Sequence, residues 1–109
     1  MKAQANAWIN GILGTWIFIA AFLNFSAMGN LWDNLIVGII VAIFGFAMIK
    51  PKPWQGWVSG IMGLWLIVAA FIPALQTGAG NMWNEIISGI IIAIAGYGAI
   101  GGGSTESAA

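Results

Sequence analysis

Four long apolar runs constrain the fold of this chain more than any other feature. They cover residues 8–25, 32–49, 57–75 and 83–100, and each holds 18 or 19 residues. As helices that rise about 1.5 Å per residue, they would be roughly 27–29 Å long, close to the thickness of the hydrocarbon core of a bilayer. Four such runs with almost no polar face predict an all-α integral membrane protein with four transmembrane helices.

The composition agrees with this prediction. Only 6% of the residues are charged, and the mean hydropathy is +0.95, whereas a soluble domain averages about 25% charged residues. Three lysines and three acidic residues are too few to cover the surface of a water-soluble domain of this size. Because the net charge is zero, the chain offers no basic patch, and nucleic acid is not an expected partner.

Catalysis and cofactor binding have little support in the sequence. The chain has no His and no Cys, which removes the usual general base, thiolate nucleophile, disulfide and haem or zinc ligands. The only acidic residues are Asp33, Glu85 and Glu106. We therefore expect a protein that is not an enzyme, with no catalytic residue, no metal site and no cofactor.

The polar residues between the runs predict the orientation of the helices. Lys2, Lys50 and Lys52 fall on one side of the membrane if the runs alternate in direction, and Asp33 and Glu85 fall on the other. The positive-inside rule then places both termini in the cytoplasm of a multi-pass protein. Tryptophans favour the two interfaces, so Trp8, Trp54 and Trp57 are predicted anchors at the inner interface, and Trp32 and Trp83 at the outer one.

Three segments need separate interpretation. Pro73 lacks an amide hydrogen, so we expect the third helix to bend or to stop early there. Residues 101–109 are rich in Gly, Ser and Ala and are predicted to be a flexible C-terminal tail. The start of the chain resembles a signal peptide, but this interpretation is disfavoured because the first run is half of a repeated unit.

An internal repeat divides the four runs into two pairs. Residues 8–22 align with residues 57–71 at an offset of 49, and residues 30–46 align with residues 81–97 at an offset of 51. Repeat 1 covers about 8–49 and repeat 2 about 57–100, within one domain over residues 1–100. Since each repeat has an even number of spans, we expect two helical hairpins of the same orientation, related by a pseudo-twofold axis along the membrane normal.

The repeated pattern has the form W-x-x-G-x-x-G-x-W, then a small-small-aromatic step, then W-x-x-x-I-x-G-I at the start of the return helix. It resembles the SPW-repeat family of prokaryotic membrane proteins, with Ala-Ala-Phe at residues 20–22 and 69–71 in place of the Ser-Pro-Trp step. The resemblance covers residues 8–100. It implies a two-hairpin membrane fold in the prokaryotic cytoplasmic (inner) membrane, and it implies no defined activity.

Small residues recur along each predicted helix at spacings that place them on one face. Such stripes let helix backbones approach closely in lipid. They predict helix-packing sites either within one chain or between chains, and both alternatives stay open. The residues are Gly11, Gly14, Gly38, Ala42, Gly45, Gly60, Gly63, Gly89, Ala93 and Gly96.

Asn30 and Asn81 each stand just before a predicted helix and are predicted to cap its free amide groups. The alternative role is a cation or partner site on the outer face. Trp16 and Trp65 lie about 12 Å into their runs, where each indole needs an acceptor, and Thr15, Asn10 and Ser59 are the nearest candidates. These two tryptophans are expected to fill space between the hairpins, or to contact a lipid, quinone or pigment.

The sequence favours a small structural or accessory membrane subunit. It would associate laterally with itself or with a larger, energy-transducing or transport complex, and its partners would be membrane lipid and other membrane subunits. The alternative is a small homo-oligomeric transporter or channel. An exporter would need a carboxylate within the first span, and a pore would need a polar lining; neither is evident.

Overall fold

The computed structural model describes residues 2–23 and 25–101, and all regular structure in these residues is helical. The helices are α1 (Lys2–Ala20), α2 (Ala27–Ala47), α3 (Pro53–Ala70) and α4 (Gly78–Gly101), with a short 3₁₀ turn over Pro73–Leu75. The predicted all-α fold with four long helices is confirmed. The predicted tail after residue 101 lies outside the described residues.

Two of the four helices, α2 and α4, are long and apolar enough to cross a membrane by length and composition. Helix α1 carries Gln4, Asn6 and Asn10, and α3 carries Gln55 and Ser59 among several glycines, which lowers the hydropathy of both. The prediction that all four helices span the membrane therefore holds in part, and the spanning of α1 and α3 stays a prediction.

The helix ends differ from the limits of the apolar runs. Helix α1 begins six residues before Trp8, because polar residues such as Gln4 are compatible with a helix even though they end the apolar pattern. Helix α2 begins at Ala27, where the Ser26 hydroxyl accepts a hydrogen bond from the Gly29 amide at 3.0 Å. Helix α3 ends at Ala70, three residues before Pro73, which confirms the predicted early stop.

The closest helix pairs join the two repeats. Helix α1 packs most closely on α4, and α2 packs most closely on α3, whereas α1 on α2 and α3 on α4 make looser contacts. The repeat relates the first close pair to the second, since α1 corresponds to α3 and α2 to α4. The described bundle measures 45 × 20 × 17 Å.

The centre of the bundle is apolar. Ile17, Val41, Leu66 and Ile92 are fully buried and form one cluster with Val37. Ile17 corresponds to Leu66 in the repeat, and Val41 corresponds to Ile92, so both halves contribute equivalent positions. We call Ile17, Val41, Leu66 and Ile92 the apolar layer.

Candidate functional site

Small residues line both close helix pairs at equivalent positions. A side-chain carbon at Gly14 on α1 would collide with the backbone of Ala93 and would lie 2.9 Å from the Gly89 carbonyl oxygen. In the other pair, a side-chain carbon at Gly63 would collide with the backbone of Ala42. These two crossing points admit no side chain, which is why the backbones come this close.

The stripes continue on both sides of these two crossing points. On one side, Gly96 faces the backbone of Gly11, and Gly45 faces the backbone of Gly60. On the other side, a side-chain carbon at Gly89 would lie 2.6 Å from the Phe18 nitrogen, and one at Gly38 would lie 2.8 Å from the Gly63 carbonyl oxygen. The structure thus places every predicted packing residue in contacts within one chain. These contacts favour the intrachain alternative over packing between chains.

A layer of polar side chains crosses the bundle at the end where α1 joins α2 and α3 joins α4, which we call the outer end because the sequence predicts that it faces outward. Its fully or nearly fully buried members are Asn30, Asn34, Asn81 and Glu85. The Asn81 amide donates a hydrogen bond to the Glu85 carboxyl at 3.0 Å, and the Asn30 amide donates to the carbonyl oxygens of Phe25 at 3.3 Å and Gln76 at 2.6 Å. We call these four residues the outer polar layer.

The capping role predicted for Asn30 and Asn81 is wrong. Both residues lie inside their helices, three positions after the first residue of α2 and of α4. Ser26 caps α2 instead. The helices start earlier than the apolar runs because the three residues before each Asn, Ala-Met-Gly in α2 and Gly-Ala-Gly in α4, are also helical. The Asn30 amide therefore links the connections at Phe25 and Gln76 to the bundle, whereas the Asn81 amide binds Glu85 one turn further along α4.

Trp16 and Trp65 bind the outer ends of the neighbouring helices in their own repeats. The indole nitrogen of Trp16 donates a hydrogen bond to Asp33 Oδ1 at 2.8 Å, and that of Trp65 donates to Asn84 Oδ1 at 2.7 Å. The acceptors proposed from the sequence, Thr15, Asn10 and Ser59, are wrong. Each tryptophan lies four or five residues from the last residue of its helix, so it is closer to that end of the bundle than the apolar runs suggest.

The three residues considered as indole acceptors have other environments. Thr15 donates to the Gly11 carbonyl oxygen at 2.9 Å and lies 2.9 Å from the Tyr97 hydroxyl oxygen. Asn10 and Ser59 occupy equivalent positions in the repeat and are both fully buried, with no hydrogen-bond partner for their side-chain polar atoms among the described residues. Sequence reasoning missed this inner polar pair, although the polar residues recur at the repeat offset.

The predicted interfacial tryptophans lie on the outside of the bundle. Trp8, Trp32, Trp54, Trp57 and Trp83 are each about half exposed. Trp8 makes an edge-to-face contact with Tyr97, and Trp57 makes the equivalent contact with Phe46, with ring centroids 6.1 and 6.0 Å apart. Their exposure is compatible with the predicted anchoring in lipid interfaces.

A cleft of about 600 Å³ opens between α3 and α4 near their outer ends. We call it the α3–α4 cleft. Its walls are almost entirely apolar, and no metal-binding group of three or more acidic, His or Cys residues occurs in the part of the chain that the structure describes. The lining residues are Met62, Trp65, Leu75, Ala79, Gly80, Trp83, Asn84, Ile87 and Ser88.

The family comparison decides the identity of this repeated four-helix unit. A family model described as SPW repeat domain matches residues 4–99. The chain belongs to the SPW repeat family. Comparison with curated proteins and with solved structures finds no match. The family and the two long apolar helices of this SPW repeat protein together indicate a membrane protein.

Proposed function

We propose that this SPW repeat protein is a small structural or accessory subunit of the prokaryotic cytoplasmic membrane. All four helices would span the bilayer, with both termini in the cytoplasm. The protein would associate laterally with itself or with a larger membrane complex through its exposed apolar faces.

The distribution of polar and apolar side chains carries the membrane part of this proposal. Large apolar residues are exposed on every helix, including Ile12 on α1, Ile43 on α2, Ile61 on α3 and Ile94 on α4. Polar residues such as Asn10, Asn34, Ser59 and Glu85 are instead buried. This is the reverse of a soluble protein, and it is favourable only where hydrocarbon surrounds the bundle.

The short connections support a lateral rather than a soluble partner. The segments between helices cover residues 21–26, 48–52 and 71–77, and they are too short to form a separate binding surface. The small-residue stripes are already used within the chain, so the faces left for a neighbour carry Ile12, Ile43, Ile61 and Ile94. Association in lipid would then depend on packing of these exposed side chains.

A transporter or channel has less support. A polar route along the centre of the bundle would have to pass the apolar layer, whose four side chains are fully buried and packed on one another. Ion conduction needs a polar or water-filled path. Flux of ions or small solutes through liposomes containing the purified protein, at rates well above those of empty liposomes, would contradict the subunit proposal.

Lateral association can be tested in native membranes, because the chain lacks cysteine. Single-cysteine variants Ile43→Cys and Ile94→Cys place equivalent thiols on exposed faces, and Val41→Cys places a control thiol in the buried layer. We expect a thiol-reactive crosslinker to yield discrete larger species from one or both exposed positions and none from the control. A protein that extracts gently as a monomer and yields no such species would contradict the proposal.

The orientation has its own test. Pro51→Cys lies between the two lysines of the central connection, and Thr77→Cys lies in the second outer connection. In intact cells, a membrane-impermeant maleimide is expected to label Thr77→Cys and to label Pro51→Cys only after the membrane is opened. Labelling of Pro51→Cys alone in intact cells would show the opposite topology. Labelling of both variants would put the two connections on the same side and exclude the proposed topology.

A further inference from the structure

We propose that Asp33 on α2 and Glu85 on α4 bind one proton between their carboxyl groups at neutral pH. The proton is the ligand of this site, and it links two helices that are not among the closely packed pairs of the bundle. This inference goes beyond the subunit function, since it concerns a bound ligand and not a protein partner, and it does not depend on lateral association.

The two carboxyl groups meet at the outer polar layer, and each has one oxygen already in use. The Trp16 indole donates a hydrogen bond to Asp33 Oδ1 at 2.8 Å. The Asn81 amide donates to Glu85 Oε1 at 3.0 Å. The second oxygens, Asp33 Oδ2 and Glu85 Oε2, are buried without a hydrogen-bond partner among the described residues. The two carboxyl groups are close enough to form a hydrogen bond with each other if one of them carries a proton.

The elements around this pair bring no positive charge to it. Helix α3 and the two outer connections have no charged residue. Asp33 and Glu85 are the only charged residues of α2 and α4. Lys2 is the first residue of α1, and Lys50 and Lys52 lie in the α2–α3 connection, so all three belong to the opposite end of the bundle. Two adjacent carboxylates without a cation repel each other, and one shared proton removes that repulsion.

The internal repeat has amides at the two equivalent positions. Asn84 is equivalent to Asp33, and Asn34 is equivalent to Glu85. An amide carries its own N–H donors, whereas an ionised carboxyl group has only acceptors. Among these four positions, the two acids are therefore the ones that need a proton to supply a hydrogen-bond donor.

A proton fits this site better than a metal ion does. Glu85 is fully buried. The free oxygens of the acid pair and of the amide bound to it are Asp33 Oδ2, Glu85 Oε2 and Asn81 Oδ1. Calcium takes about six to eight oxygen ligands, so these three would leave its coordination incomplete. A hydrogen bond between an acid and a carboxylate needs only two oxygens and is among the strong ones.

Infrared spectroscopy tests the site directly, because the chain has only three acidic side chains. A protonated carboxyl group has a carbonyl-stretch band that an ionised one lacks, and an ordinary carboxyl group in water is ionised at neutral pH. The full-length protein is placed in ether lipids, which have no ester carbonyl to overlap with this band. We expect the band of one protonated carboxyl group at neutral pH, with a shift to lower frequency in D₂O.

Matched variants and isotope labels assign the band. Asp33→Asn and Glu85→Gln each place an amide donor where the proton lies, so either change should abolish the band. Glu106→Gln removes the one acid outside the pair and should leave the band unchanged. Thermal unfolding of each variant checks that the fold is retained. Carboxyl ¹³C labelling needs no substitution: Asp33 is the only aspartate, and labelled aspartate and labelled glutamate should each shift the band if the proton is shared.

Three results would overturn the proposal. Absence of the band at neutral pH would mean that both carboxyl groups are ionised. A band that survives Asp33→Asn but not Glu85→Gln, or that responds only to labelled glutamate, would place the proton on Glu85 alone. Loss of the band on addition of Ca²⁺ would make the occupant a metal ion. None of these results affects lateral association, which the crosslinking of Ile43→Cys and Ile94→Cys tests separately.

Discussion

Each repeat has a crevice beside the tryptophan near the outer end of its first helix, and the two crevices differ in the side chains around that tryptophan. Each has a tryptophan whose indole binds a side chain of the next helix, Asp33 in one case and Asn84 in the other. In repeat 1, Phe25 lies on the indole. In repeat 2, the connection forms a 3₁₀ turn over Pro73–Leu75, and the α3–α4 cleft remains open beside Trp65.

The difference separates two kinds of position in a duplicated membrane protein. The close helix pairs retain their glycines in both repeats, because any side chain at Gly14 or Gly63 would meet backbone atoms that cannot move. The crevices face outward, where lipid adapts to the surface, and their side chains are free to diverge. Equivalent substitutions in the two repeats should therefore agree at the helix crossings and disagree at the crevices.

The largest effect is expected at the crossings. Gly14→Ala and Gly63→Ala should each lower the free energy of unfolding in detergent by about 1–3 kcal/mol, because the added carbon forces the backbones apart. Gly98→Ala is the matched control, since its side-chain carbon would meet only the Trp54 ring at 3.9 Å. If Gly14→Ala unfolds like this control, the described α1–α4 contact is wrong.

The indole hydrogen bonds should separate the repeats. Trp16→Phe leaves Asp33 Oδ1 without another hydrogen-bond partner among the described residues, at a cost of about 1–3 kcal/mol in the free energy of unfolding. After Trp65→Phe, Asn84 Oδ1 retains the hydrogen bond from the Ser88 hydroxyl, so the expected cost is about 0.5–1.5 kcal/mol. Denaturant unfolding of both variants measures the difference, with the exposed Trp32→Phe as control. Equal losses would show that the two crevices are energetically alike.

Removing the cover of the first crevice should make it resemble the second. Phe25→Ala is expected to cost about 0.5–1.5 kcal/mol, the usual contribution of an aromatic pair, and to expose Trp16. Fluorescence quenching by a lipid-soluble quencher should increase in Phe25→Ala and should not increase in Leu75→Ala, where Trp65 is already 39% exposed. An unchanged signal in Phe25→Ala would mean that Phe25 does not shield the indole.

The smallest effect is expected for Asp33→Asn. Asn84 shows that an amide oxygen accepts the indole hydrogen bond as closely as a carboxyl oxygen does, at 2.7 Å against 2.8 Å. The change in unfolding free energy should therefore stay within about 0.5 kcal/mol. A larger loss in the same denaturant titration would indicate that the second carboxyl oxygen of Asp33 also contributes to the outer polar layer.

Periodicity and the repeat were enough to predict the all-α fold and the small-residue stripes, because these depend on spacing within a helix. They did not predict which helices pair, since Gly11 and Gly60 look alike and nothing in the sequence tells α1 whether to meet α2 or α4. Nor did they predict the Trp16–Asp33 contact. That contact depends on where α1 ends, and apolarity continues past Ala20 into residues that are not helical.

The pairing of α1 with α4 and of α2 with α3 has a consequence for how such a molecule arises. Each half contributes one helix to each of the two tight contacts, and neither half contains a tight contact by itself. A half-length ancestor carrying a single hairpin would have been an obligate homodimer, with two copies side by side making the same two contacts. Fusing the genes end to end would convert that dimer into one polypeptide without changing any helix neighbour, and would then release the two crevices to evolve apart.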